Sequence, residues 1–244
     1  MEKKFEKLLD LIYPENLYCL CCGDTMEQSR FYGICDVCAE KLSWYTGNPF
    51  RSQMDEFAFT EIFPCCYYGF YARRIVSRIK LSGTPYAAGG IGRLLADRLK
   101  EELARPEYHP DALIAVPMHR EKLRMRGYNQ TELLARRIAE VLPLPYREGV
   151  LLKNKATQSM RMSDAFTRRH LLEDSMAVRP DQAAWVRGKH LVVVDDVVTT
   201  GSTVDAVSRV LLAAGASQVD VLCFAITPNI RFDTDGEDEK NGSE

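Results

Sequence analysis

The sequence predicts an α/β protein, a doubly wound parallel sheet carrying a small cysteine-bound module at its N-terminus. Strand-like runs at 63–70, 112–116, 150–152, 191–194 and 219–226 alternate with segments whose apolar residues recur at helical spacing. One run, Leu191 to Val194, is apolar without interruption, the pattern of a strand covered on both faces. Two cysteine pairs, Cys19/Cys22 and Cys35/Cys38, precede all of these strands.

The module comes first. Residues 1–60 open with an amphipathic helical pattern, followed by the two C-x-x-C pairs, the spacing of a four-cysteine zinc site. Gly23, directly after the first pair, suits a tight knuckle. Four thiolates leave no open coordination position, so Zn²⁺ here is structural, and a core this small is expected to need it. Disulfides are the weaker alternative in a reducing compartment. Cys21 and Cys22 are adjacent, and spacing alone does not choose between them as the second ligand. Cys65, Cys66 and Cys223 have no paired partner and read as buried strand residues. The module's core is expected to be separate from that of the rest, with Gly47-Asn48-Pro49 marking its end.

Residues 61–230 form the larger domain. After the aromatic strand at 63–70, Ile75, Val76 and Ile79 mark a short helix that reaches Lys80, and Ile91, Leu94, Leu95, Leu99 and Leu103 mark a long one. From Val116 to Gln130, VPMHREKLRMRGYNQ reads as a loop leaving a strand end. It carries Arg120, Lys122, Arg124 and Arg126, and a helix marked by Leu133, Leu134, Ile138 and Leu142 follows. Basic loops are ordinarily solvated surface, but one beside a phosphate site gathers cations to hold phosphate.

The most informative stretch is Leu191 to Thr203, LVVVDDVVTTGST. Asp195 and Asp196 fall where the strand is expected to leave the core, the end at which open α/β sheets place their ligands. Two adjacent carboxylates there are costly unless a cation or a hydroxyl-rich ligand meets them. Val197 and Val198 lead into Thr199, Thr200, Gly201, Ser202 and Thr203, whose hydroxyls and backbone N–H groups precede a helix and form an anion cradle. The chemistry implied is a phosphate for the turn and a diol for the acids, as in a phosphorylated ribose. A plain strand, turn and helix cap would explain the hydroxyls but leave the acids unused. The following helix stops at Ala213-Ala214-Gly215.

This stretch resembles the phosphoribosyl pyrophosphate (PRPP) fingerprint of the type I phosphoribosyltransferases. The resemblance implies that Asp195 and Asp196 hold the ribose 2- and 3-hydroxyls as catalytic acids and that Thr199 to Thr203 hold the 5-phosphate, with Val197 and Val198 also substrate-binding and Mg²⁺ accompanying PRPP. The P-M-H-R-E-K-L-R-M-R-G-Y-N-Q segment, the cysteine pairs and the fingerprint, in this order, resemble the ComF family, also called competence protein F, over nearly the whole chain. That likeness adds Pro117, Lys80, Arg124 and Arg126 as substrate-binding candidates. It also implies a role in uptake or handling of transforming DNA. Between 150 and 190 the family's Thr/Ser-Gln, Arg and Asn positions are met by Lys155, Thr157, Gln158, Ser159 and Arg168, but Met160 and Leu171 stand where Gln and Asn are expected. This is the segment that covers PRPP in transferases. Two other readings stand beside the leading one: a metabolic transferase acting on a base or amine, and a PRPP or nucleotide sensor without turnover. No glutaminase partner domain accompanies the chain's motifs.

Length and composition bound these readings. The 244 residues are 46% hydrophobic and carry a net charge of -2, so nothing global attracts nucleic acid and any DNA contact must be local. Arg161, Arg168 and Arg169 join the basic loop as candidate contacts. No run approaches a membrane span, and the start lacks the uninterrupted apolar core of a secretion signal, so no membrane insertion and a cytoplasmic location are expected. Candidate partners are single-stranded DNA, proteins of the uptake machinery and a second copy of the chain. The tail, residues 231–244, is acidic, without apolar periodicity, and reads as disordered.

Overall fold

β-branched and aromatic runs set the sheet. In the computed structural model, which describes residues 17–26, 30–47, 50–51, 57–81, 87–153 and 176–228, the strands are β1 (Phe50–Arg51), β2 (Glu61–Tyr67), β3 (Ala112–Ala115), β4 (Leu151–Lys153), β5 (Met176–Val178), β6 (His190–Val198) and β7 (Gln218–Ile226). Five of them form one sheet in the order β1-β2-β7-β6-β3, parallel except for the short edge strand β1, while β4 and β5 pair antiparallel apart from it. β6 lies inside the sheet between β3 and β7, its Val193 opposite Ile114 of β3 and Val221 of β7. The opening helix, the segment from 154 to 175 and the tail lie outside the described residues.

Successive β6 side chains enter opposite layers, as a strand period of two requires. Val192 and Val194 join one buried cluster with α2 (Phe70–Lys80), α3 (Ala87–Leu103) and α5 (Gln130–Val141), through Ile75, Leu95 and Ile138. Leu191 and Val193 join a second with α7 (Ser202–Ala213), through Val204, Val207 and Leu211. The sheet is therefore covered on both faces, as the uninterrupted Val run predicts. α1 (Asp36–Glu40), α4 (Arg120–Arg126) and α6 (Ala183–Val186) are short. Cys65, Cys66 and Cys223 are buried in β2 and β7, as expected.

Three expectations are corrected. The 116–130 segment is not all loop: residues 120–126 are α4, which buries no side chain and so gave no apolar periodicity to read. β6 does not end before the acids but runs through them to Val198, and both are buried. The two cores are not separate. Cys19, Leu20, Ile34, Cys38 and Leu42 of the N-terminal module share one cluster with Ile75, Ile91 and Leu95, because the module has too few apolar residues to close a core of its own and borrows the flanks of α2 and α3.

Gly90 shows how close that docking is. A Cβ at this position of α3 would lie 1.8 Å from the backbone oxygen of Tyr32 in the module. Backbone cannot step aside as a flexible side chain can. Gly90→Ala is thus expected to push the module off α3 and destabilise the whole chain by about 1–3 kcal/mol or more, read as a lower urea midpoint. An unchanged midpoint would mean that the module does not rest on α3 as described.

Candidate functional site

The site is built at the carboxyl end of β6. Asp195 and Asp196 retain 8% and 4% of their exposure, so neither carboxylate is solvated by bulk water. Asp196 donates its backbone N–H to Asp195 Oδ1 at 2.8 Å. Its own Oδ2 meets Lys80 Nζ at 2.8 Å and accepts from Gln130 Nε2 at 3.2 Å. Gln130 Oε1 in turn accepts from Arg126 Nη1, so Arg126 acts on the acid pair through Gln130. Burial first, and the adjacent Asp196 carboxylate second, push Asp195 up to about 8.

Each residue of the R-G-Y-N-Q run has a separate job in placing these groups. Gly127 adopts φ 86° and stops α4, a left-handed conformation that suits glycine. Tyr128 donates its hydroxyl to the carbonyls of Ile79 and Leu81, latching the end of α2 and hence Lys80. Asn129 caps α5 by accepting from Thr131 N at 3.3 Å, and it donates to Val116 O at 3.1 Å. Thr131 donates to the same carbonyl at 2.7 Å, which fixes the start of α5 on the end of β3.

A cleft of about 480 Å³ opens beside Asp195, lined by Lys80, Pro117, Lys122, Arg126, Gln130 and Lys153 among others. Lys153, at the end of β4, is held below the usual lysine value by burial and then by the neighbouring Lys122 charge, against the pull of Asp195. Pro117, Lys80 and Arg126 thus meet at one place. Arg124 does not line the cleft and faces solvent on α4. Lys153 and the contact of Gln130 with Asp196 escaped the sequence reading: a lysine after a three-residue strand carries no signal, and Gln130 meets Asp196 only across the fold.

Beyond the acids, Val197 and Val198 turn their side chains into the two cores and leave only backbone to the site. Gly201, at φ 73°, makes the turn into α7. Gly201 has no side chain to cap that helix, and the Ser202 N–H reaches Thr200 Oγ1 only at 3.5 Å, so the first-turn N–H groups suit an anion. The hydroxyls of Thr200 and Ser202 lie 3.0 Å apart, and Thr227 donates to Thr199 O at 2.5 Å, stapling the turn to the end of β7. Phe57 closes over Gly201, where a Cβ would come within 2.6 Å of its ring. Ala58 N donates to the buried Asp205 Oδ1 at 2.7 Å.

The cysteines form a second centre. The sulfurs of Cys19, Cys22, Cys35 and Cys38 all lie within 4.8 Å of one another, and those of Cys22 and Cys35 are 3.9 Å apart. Tetrahedral Zn²⁺ with bonds of ~2.3 Å separates its sulfurs by roughly 3.8 Å, so the cluster is compatible with structural zinc. Cys21 turns its thiol to Tyr71 O instead, which decides between the adjacent thiols in favour of Cys22. Burial raises Cys22 to about 11 and Cys38 to about 12. Burial would also raise Cys19, but the backbone N–H groups of Cys35, Cys22 and Cys21 outweigh it and hold that thiol at about 7.

The profile of the phosphoribosyl transferase domain matches residues 125–241. A DNA utilization protein YhgH from Escherichia coli O157:H7 is 31% identical over 154 residues, 63% of this chain and 66% of the relative. Competence protein F of Haemophilus influenzae is 25% identical over 203 residues, covering 82% of this chain and 87% of the relative. The chain belongs to the ComF family. Its matched part spans just under two thirds of the YhgH relative's length. Among solved structures, the glutamine PRPP amidotransferase from B. subtilis overlaps with a TM-score of 0.36 at 23% identity, over 55% of this chain and 25% of that one. The parallel sheet with helices on both faces and the four-cysteine cluster before it are the fold class that the sequence predicts. Among the described residues, no helix is long and apolar enough to cross a membrane.

Burying Asp195 has a pH signature. The folded chain holds its proton up to about pH 8, whereas an unfolded aspartate releases it near 3.8. Between those values the unfolded state binds fewer protons, so stability contributed by this group falls as pH rises. Asp195→Asn removes the titration. Its midpoint of thermal unfolding is expected to exceed that of the parent chain by more at pH 8 than at pH 5, and an equal difference at both pH values would contradict the burial of this acid.

Proposed function

We propose that the chain binds PRPP at the carboxyl end of β6 and that this binding serves the uptake or handling of DNA. The observation that carries the first half is the buried Asp195–Asp196 pair, set between Lys80 and the turn into α7. A diol can donate to both carboxylates the hydrogen bonds that neither obtains from water, and its attached phosphate would sit against the N–H groups of α7. Lys80, Lys122, Arg126 and Lys153 around the cleft suit a pyrophosphate, whose charge they would offset. Mg²⁺ arriving with PRPP would find hard oxygen ligands in the two acids and would neutralise the leaving pyrophosphate.

In this reading Asp195 and Asp196 orient the ribose and stabilise positive charge developing at C1, while the cations around the cleft hold the leaving group. Gln130 and Tyr128 position Asp196 and Lys80. The zinc held by Cys19, Cys22, Cys35 and Cys38 is structural and fastens the module to α2. The second half of the proposal is supported by the names of the relatives, DNA utilization protein and competence protein F. A metabolic transferase acting on a base or amine is the alternative, and release of pyrophosphate with a panel of acceptors would distinguish it.

Calorimetry with Mg²⁺ and PRPP tests the site. Asp195→Asn or Asp196→Asn is expected to weaken binding by about 1.5–3 kcal/mol, the size of a charged hydrogen bond, with the fold kept. Unchanged affinity in the double variant would remove PRPP from this end of the sheet.

A further inference from the structure

α2 has two different sides. Ala72, Ile75, Val76 and Ile79 are buried against the sheet. The other side presents Phe70, 66% exposed, together with Arg73, Arg74 and Ser77. A single exposed phenylalanine is ordinary. Its surroundings are not. Among its 11 residues α2 has four cations and no acid, in a chain whose net charge is -2. Arg74 lies over the Phe70 ring at 5.8 Å, Arg73 over Tyr68 at 5.9 Å, and Lys41 of the module over Tyr71 at 5.8 Å. The recorded partners of these three cations are rings and, for Arg74, the Cys21 carbonyl at 2.9 Å, and no carboxylate neutralises them among the described residues.

We propose that this outer face of α2, with Lys41 beside it, is a binding track for single-stranded nucleic acid. Interleaved rings and cations are what an unpaired strand recognises: bases stack on aromatic faces, and Lys and Arg follow the phosphates without reading sequence. A duplex offers no open base face, and an acidic peptide has no use for the rings. The track is about 16 Å long for a helix of this length. The middle of α2 is tied to the cysteine knuckle by Arg74 and its last residue, Lys80, reaches the acid pair, so the strand would lie between the cysteine module and the PRPP cleft. α4, the basic segment picked out in the sequence, is a separate exposed helix that would add phosphate contacts only. The inference rests on the nucleic-acid half of the proposed function and is independent of PRPP.

The full chain is titrated against fluorescent oligo-dT and oligo-U of about 20 nucleotides, longer than the ~4–16 nucleotide footprints of single-strand binders, at roughly 50 mM salt and above. Phe70→Ala combined with Arg73→Gln is expected to weaken binding about tenfold or more and to reduce the salt slope by about 0.7. Phe70→Trp, which keeps a stacking face, is expected to bind as the parent does. PRPP affinity and the thermal midpoint, measured on the same samples, should not move in either variant, so a failure of PRPP binding is read separately. Preference between the two oligomers decides between DNA and RNA as the source of the strand. The proposal is overturned if the parent chain binds neither oligomer, or if the double variant binds like the parent while Arg120→Ala with Arg124→Ala abolishes binding. It is equally overturned if duplex or polyglutamate competes as well as the single strand.

Discussion

Two carboxylates buried next to each other on an interior strand of the sheet repel one another and are far from water, and the fold is arranged around meeting them. Asp196 receives Lys80 from the end of α2 and Gln130 from the start of α5. Asp195 receives the backbone N–H of Asp196 and otherwise retains its proton up to about pH 8. The pair is thus only half satisfied by the protein. What remains is the capacity to take up a ligand bearing hydroxyls or a metal ion, and the neighbouring turn into α7 adds a place for a phosphate. The opposite end of the sheet contrasts with this one. There Arg105 pairs with both Glu61 and Glu102, and His190 meets Asp220 at 2.6 Å, so these groups find their partners within the fold.

The parts that supply these groups are held by the rest of the chain. α2 is fixed at its middle by Arg74 on the cysteine knuckle and at its C-terminal end by Tyr128, so the knuckle, the helix and Lys80 form one mechanical unit. Phe57 and Ala58, between the module and β2, close on Gly201 of the fingerprint and on Asp205 of α7. The N-terminal module therefore braces the site from two sides without lining it. A disturbance of the four-cysteine cluster would be felt at the acid pair through α2, and a change in Cys35 acts on a core shared with the sheet.

Much of the sheet was legible because Val192 to Val194 and Val219 to Ile226 carry the β-branched, apolar pattern of strands covered on both faces. The acids were legible for a related reason: charge at the end of such a run has no apolar role. α4 was not, since a helix that buries nothing leaves no apolar stripe, and the Arg and Lys spacing of 120–126 reads equally as loop. The merging of the cores was hidden too. Ile34 and Leu42 look sufficient for a small module until Ile75 and Leu95 are found beside them. Gln130 and Lys153 depend on contacts across the fold, which no local pattern announces. The choice of Cys22 over Cys21 required side-chain direction, which spacing does not carry.

The half-satisfied acid pair is the place that must receive the ligand. Calorimetry of Mg²⁺-saturated PRPP binding at pH 7, repeated in buffers of different ionisation enthalpy, counts the protons released. A ligand that engages Asp195 as a carboxylate must displace the proton that burial keeps there, so close to one proton is expected to leave the parent chain and none the Asp195→Asn variant. Binding with no proton release in the parent would show that PRPP, if it binds at all, does so away from Asp195.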